Sequence, residues 1–268
     1  SLWKVCQRIY LCNGSIMDKL ISFSLPLMVS GILQLAFNAV DIIVVGRFSG
    51  SQALAAVGST TALINVFTNL FIGISLGANV LAARFYAAGK DREMSETVHT
   101  SITLALISGI MMAVIGVLLA KWALEIMGTP DDVIGQSASY MRIYFMGMPF
   151  FMLYNYGAAI LRAIGDTKRP LIFLIISGIA NAALNMILVI LFHMGVAGVA
   201  IGTIISQLIS CVLVLTCLYR SEGSYQLRFS KLKINGAYME QIFQVGVPAG
   251  IQSTVINFSN ALLQSSVN

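Results

Sequence analysis

The run Leu20–Gly46, LISFSLPLMVSGILQLAFNAVDIIVVG, is apolar over a length that crosses a bilayer, yet it carries one carboxylate, Asp41, well inside it. A helix needs about 20 mainly apolar residues to span the hydrocarbon layer. An aspartate placed there costs about 2.5–3.5 kcal/mol on insertion scales, and no residue of opposite charge lies within one helical turn of Asp41. Two readings follow. Asp41 either faces a protein-lined cavity and holds a cation there, or it sits at the membrane edge, which Arg47 would mark.

The rest of the chain repeats the apolar theme. At 57% hydrophobic and 10% charged residues, with a mean hydropathy of +0.85, the composition excludes an ordinary soluble domain. It predicts an all-α polytopic membrane protein. Further apolar runs cover Ala53–Ala83, Ile102–Ala120, Ala138–Ile164, Leu171–Leu191 and Val196–Leu218, and a seventh begins near Tyr238 and is unfinished at Asn268. Thirteen Lys and Arg fall in the N-terminal segment and the second, fourth and sixth loops, against Arg47, Lys121 and Arg142 on the other side. Basic residues concentrate on the cytoplasmic side, so the N-terminus and the loop after span six are predicted there. The net charge of +5 is spread over these short clusters, which argues topology rather than nucleic-acid binding.

The domain reading follows from the same runs. Residues 1–16 look unlike the rest and lack the apolar core and cleavage site of a signal peptide, so they are predicted to be a cytoplasmic extension. Residues 17–220 form a six-helix lobe, 221–237 a cytoplasmic inter-lobe loop, and 238–268 the start of a second lobe. Aligning Met17-Asp18 with Met239-Glu240 brings Pro26 onto Pro248, Asn38 onto Asn260 and Ala39 onto Ala261 without a gap. Both copies start on the same side, which makes a parallel repeat and predicts an intact protein of about twelve spans. Asp41 falls on Leu263, so the carboxylate belongs to the first lobe alone.

Polar residues on other spans supply candidate partners for Asp41: Gln34 and Asn38, Asn65 and Asn69, Asn155, Asn181 and Asn185, Thr203 and Gln207. Neutral oxygens beside one carboxylate suit sodium, and a tuned environment suits a proton. Asn181 and Asn185 are four residues apart and share a helix face, and with Gln34 and Asn38 they outline a polar cavity. Each lone amide also has the simpler role of an interhelical hydrogen bond. Pro26 removes a backbone bond from the helix bearing Asp41, giving either a bendable helix or a static kink, and Pro149 invites the same pair of readings. The stretch GVAGVAIG, Gly195–Gly202, permits close helix packing. Methionines and the aromatics Phe145, Phe150, Phe151, Tyr154 and Tyr156 either line an apolar pocket for organic cations or fill the core. Cys6, Cys12, Cys211 and Cys217 form no CxxC pair and read as thiols or apolar fillers, while His99 and His193 sit at helix edges. Walker A and HExxH motifs are absent, so the chain reads as neither an enzyme nor a nucleotide-driven pump.

Four segments in order, LPLMVSGILQLAFNAVDIIVVGRFSG, ALAAVG, LRAIGDTKRP and GVAGVAIGTIISQ, resemble the multidrug and toxic compound extrusion family, MATE. The likeness runs over Met17–Asn268. It implies twelve helices in two lobes around a cavity that opens alternately to either side, and export of small organic, cationic and amphipathic compounds driven by inward sodium or proton flow. No other cofactor is implied, and neither is a nucleotide or nucleic-acid partner. The setting implied is the lipid bilayer of a bacterial inner membrane, with the full-length protein monomeric. Carried over by position, Asp41 matches the coupling carboxylate and the place where sodium would bind, and Pro26 matches a helix-bending proline. Asn155, Asn185 and Thr203 match its polar partners. Many members have an aspartate four residues after the fifth-helix asparagine, where this chain has Val189. A lipid-linked precursor flippase of the same superfamily is the second reading, for which only Arg142 offers a cavity cation, and a non-transporting membrane scaffold is the third.

Overall fold

A computed structural model describes residues 16–267, with the side chains of Ala62 and 257–267 excepted. The N-terminal extension up to residue 15, with Cys6 and Cys12, lies outside the described residues, as do the side chains of the repeat positions Asn260, Ala261 and Leu263. The chain is all-α. Helices α1 (Ile16–Phe48), α2 (Gly50–Ala87), α3 (Asp91–Ile126), α4 (Asp131–Met146), α5 (Met148–Ala163) and α6 (Lys168–Met186) follow one another. The last continues into a π-helical segment, Ile187–Leu191, before α7 (Gly195–Arg220), a 3₁₀ turn at Phe229–Lys231 and α8 (Gly236–Val267).

Among the described residues five helices are long and apolar enough to cross a membrane: α1, α2, α3, α6 with its π segment, and α7. The predicted fourth span, Ala138–Ile164, is divided at Gly147 into α4 and α5. Pro149 has no N–H to give the carbonyl of Phe145, and the Gly147 N–H turns instead to Tyr144 O at 3.0 Å. A side chain at Gly147 would strike Gln207 Oε1 at 2.6 Å, so the break also lets α7 come close. By contrast α1 runs unbroken across Pro26 and α8 across Pro248. At 38 residues, α2 measures about 57 Å, nearly twice the hydrocarbon thickness. Helix α3 begins at Asp91 rather than Ile102: Met94, Thr97 and Val98 in its first turns are buried, and Arg92 pairs with Glu96 at 3.1 Å on the outer face.

The core lies between α3, α5 and α7, around Met94, Phe145, Met148, Met152, Tyr156, Ile160 and Leu218. Phe145 packs on Gly116 and edge-on to Phe67. Phe145 and Tyr156 are therefore core residues, the second of the two readings the sequence offered for them; Tyr154 ties its hydroxyl to Pro170 O at 3.1 Å. The turn LRAIGDTKRP joins α5 to α6. Gly165 takes φ +86° there, while Asp166 accepts the Arg169 N–H and pairs with its guanidinium, both at 3.1 Å.

Helix α8 crosses α2 with backbone against backbone. A Cβ on Gly73 would run into Gly250, one on Gly77 into Ile242 O and Gly246, and one on Gly246 would lie 2.6 Å from Ile74 Cα. Two GxxxG pairs, Gly73/Gly77 and Gly246/Gly250, thus meet face to face, a pattern that permits the closest approach of helices in a membrane.

Candidate functional site

Helix α1 exposes most of its surface and is seated on α6. Gly178 provides the seat: the Phe37 ring fills the space a Cβ would take. One turn further along α1, Asp41 then meets Asn185, which is fully buried. Asn185 Nδ2 donates to Asp41 Oδ1 and, at 3.1 Å, to Asn181 Oδ1. Asn181 Nδ2 in turn approaches Thr203 Oγ1 and Ser206 Oγ on α7, each at 3.4 Å. Thr203 and Ser206 donate to the backbone of their own helix, to Val199 O at 2.9 Å and Thr203 O at 2.7 Å.

Direction matters in this chain of bonds. An amide nitrogen carries two hydrogens, and both nitrogens have two acceptors each. The donors are committed and the network ends on the carboxylate. Among the described residues no ion pair reaches Asp41. The acceptor side is incomplete, because Asn185 Oδ1 is buried without a hydrogen-bond partner. A buried polar oxygen left unpaired costs about 1–3 kcal/mol. A carboxylate next to an unsatisfied carbonyl oxygen is the donor set that a hard monovalent cation or a proton completes.

The structure sorts the residues expected at the site. Asp41, Asn181, Asn185 and Thr203 come together. Asn155 stands apart, since its amide donates to Phe151 O of its own helix at 2.8 Å. Gln34 and Asn38 are exposed on α1. Pro26 is half-buried, and its carbonyl accepts the Ser30 hydroxyl at 2.8 Å. Val189 is buried in the π segment and lines a separate cavity of about 710 Å³ with Asp131, Asp132 and His193. The residue that faces Asp41 four positions after an asparagine is Asn185, following Asn181, so Val189 does not occupy the position opposite the carboxylate.

Three participants lacked a sequence argument. Ser206 lies one turn beyond Thr203. Tyr140 and Tyr144 on α4, with ring centroids 6.0 Å apart, lie within electrostatic reach of Asp41. Their i, i+4 spacing in SASYMRIYFM was the available signal. Arg142, between them in sequence, is exposed.

Comparison with known proteins gives the following likenesses. The family model MatE matches residues 26–187. The Bacillus subtilis protein named probable multidrug resistance protein YoeA is 33% identical over 255 residues, covering 92% of this chain and 55% of that protein. Multidrug export protein MepA of Staphylococcus haemolyticus is 28% identical over 262 residues, covering 94% and 57%. A solved MOP-superfamily transporter from Pyrococcus furiosus superposes with a TM-score of 0.88 at 22% identity, covering 96% of this chain and 57% of that one. The chain thus spans a little over half the length of these relatives.

Proposed function

Since the chain belongs to the MatE family, a family of membrane transporters, we propose that it forms the cation-binding lobe of a secondary multidrug exporter. That exporter works by antiport against sodium or protons and by alternating access of two lobes. The single observation that carries the reading is the Asp41–Asn185 contact, a half-buried carboxylate whose fully buried amide partner keeps its own oxygen unsatisfied. Sodium would be held at Asp41, and Asn185 would add its oxygen only by turning its amide over, since Oδ1 now lies against Gly202 while Nδ2 donates to Asp41 and Asn181; a proton would sit on Asp41 itself. Either ion cancels the one charge that the apolar surroundings oppose.

Coupling then has a physical form. Binding of the ion changes the charge on α1 where it rests on α6 and α7, so lobe shape and occupancy are linked through one amide. One monovalent cation entering down about 100 mV supplies about 2.3 kcal/mol, and a tenfold gradient adds about 1.4 kcal/mol. Together they sustain a several-hundred-fold gradient of a neutral substrate. The distribution of basic residues supports a cytoplasmic N-terminus in the bacterial inner membrane, and the relatives' names support small organic substrates, with cationic amphipathic ones favoured by the acidic centre.

The test is efflux of a fluorescent organic cation by the completed two-lobe protein in proteoliposomes, for wild type and Asp41→Asn, under imposed sodium and proton gradients. Gradient-driven efflux lost in a folded variant supports the reading and identifies the ion. Equal efflux from both removes Asp41 from the mechanism, and no efflux from either turns attention to lipid-linked substrates.

A further inference from the structure

Where α3 begins and the segment after α7 returns to start α8, a groove of about 790 Å³ opens, with Arg92, Glu96, His99, Lys231, Lys233 and Asn235 among its walls. Its floor is fixed by specific bonds. Asn235 donates its side-chain amide to Glu96 Oε2 at 2.9 Å and its backbone N–H to Thr100 Oγ1 at 3.2 Å. The buried His99 ring accepts the Arg228 N–H on Nε2 at 3.1 Å, and its Nδ1 lies 2.6 Å from Ser95 O. Thr100 Oγ1 also donates to the Lys233 carbonyl at 3.4 Å, so the returning segment is strapped to α3 without using either lysine side chain.

Charge in the groove is left one-sided. Glu96 is the single carboxylate among the lining residues, and both of its oxygens are engaged, one by Asn235 and the other by Arg92 Nε at 3.1 Å. Asp91 and Glu93, in the first turn of α3, do not line the groove. Lys231 and Lys233 stand exposed beside the start of α8, whose first residue, Gly236, also lines it. The start of a helix this long carries about half a positive charge.

The geometry points to a binding site for the phosphate of an acidic phospholipid headgroup, held by Lys231 and Lys233 over the first turn of α8. A lipid rather than a dissolved anion fits because the same segment presents an aromatic anchor. Tyr219, at the end of α7, and Phe229 stack with centroids 5.8 Å apart, and both are more than half exposed. An exposed aromatic pair among Arg220, Arg228 and Lys231 is what seats at a membrane–water boundary, and basic pockets at helix ends take anionic headgroups. An occupied site would bridge α3 in the first lobe to the start of α8.

The test is native mass spectrometry of the 268-residue chain in detergent with phosphatidylglycerol or phosphatidylcholine. Wild type should retain phosphatidylglycerol in preference, and the double variant K231Q/K233Q should lose that preference by at least about fivefold, given the contribution of each lysine near an anionic lipid surface. K121Q, at the far end of α3, should behave as wild type. Equal retention of both lipids by wild type, or an unchanged preference in the double variant, overturns the proposal. Displacement of bound lipid by millimolar inorganic phosphate, with phosphate retained, overturns the lipid assignment in favour of a dissolved anion. Should the double variant not fold, K233Q alone decides: a drop of at least about twofold is expected, and no drop overturns the site.

Discussion

The amide oxygen of Asn185 occupies the volume that a Cβ on Gly202 would need. The absence of a side chain on α7 is thus what allows the amide on α6 to lie flat and turn its nitrogen towards Asp41 on α1. The three helices meet at a point where one is bare, one is an amide and one is charged.

Gly202→Ala is expected to push Asn185 off Asp41. Overpacking of a tight contact costs about 1–3 kcal/mol, so thermal unfolding in detergent should move down, and any stabilisation by added sodium or by acidification should disappear with it. An alanine variant that keeps the wild-type ion response would show that the amide need not lie as it does.

Asn155 and Asn185 should separate cleanly. Asn185→Leu strips Asp41 of its donor and leaves Asn181 Oδ1 without its partner, at about 1–3 kcal/mol per orphaned group, with loss of the ion response. Asn155→Leu loses a bond to its own helix only and should keep the response. An equal loss in both variants, measured as ion-dependent thermal shifts, would return Asn155 to the site.

The α2–α8 crossing predicts a large contrast between glycines. Gly73→Ala meets main chain, which has no rotamer to move, and should destabilise by about 1–3 kcal/mol or more. Gly31→Ala meets nothing within 4 Å and should be neutral or stabilising by up to about 1 kcal/mol through helix propensity. Paired melts of the two variants check the difference.

Removing the His99 strap should loosen the segment before α8. His99→Leu deletes the acceptor for the Arg228 N–H, worth about 1 kcal/mol. Local opening should therefore rise about fivefold, read as faster tryptic cutting at Arg228, Lys231 or Lys233. Unchanged cutting rates would mean that the Thr100 and Asn235 bonds hold the segment without it.

What the sequence disclosed and what it withheld have different physical origins. Asp41 was legible because hydrocarbon penalises a charge wherever it sits, and the pair Asn181 and Asn185 because a four-residue spacing fixes a common face. Which amide faces the acid was not legible. That depends on Phe37 seating on Gly178 and Asn185 lying against Gly202, both contacts between distant parts of the chain. Asn155 has the right residue type at the right depth, yet a rotamer that returns to its own backbone removes it from the network, and no pattern in the sequence encodes that choice. The split fourth span had its signal in Gly147 and Pro149, where a missing N–H meets a residue able to let α7 approach. The crossing glycines also had one, since both GxxxG pairs stand in the sequence. Only their meeting gives either of them a role, and that meeting spans more than 160 positions.

That crossing has a consequence for how such proteins diverge. A joint made of main chain is indifferent to the identity of the side chains around it, because peptide groups are the same in every sequence. As long as the four glycines stay glycine, residues elsewhere on α2 and α8 can be exchanged without redefining the angle or distance at which the helices meet. New side chains can then be tried along both helices against an unchanging frame, with no new way of holding the two helices together.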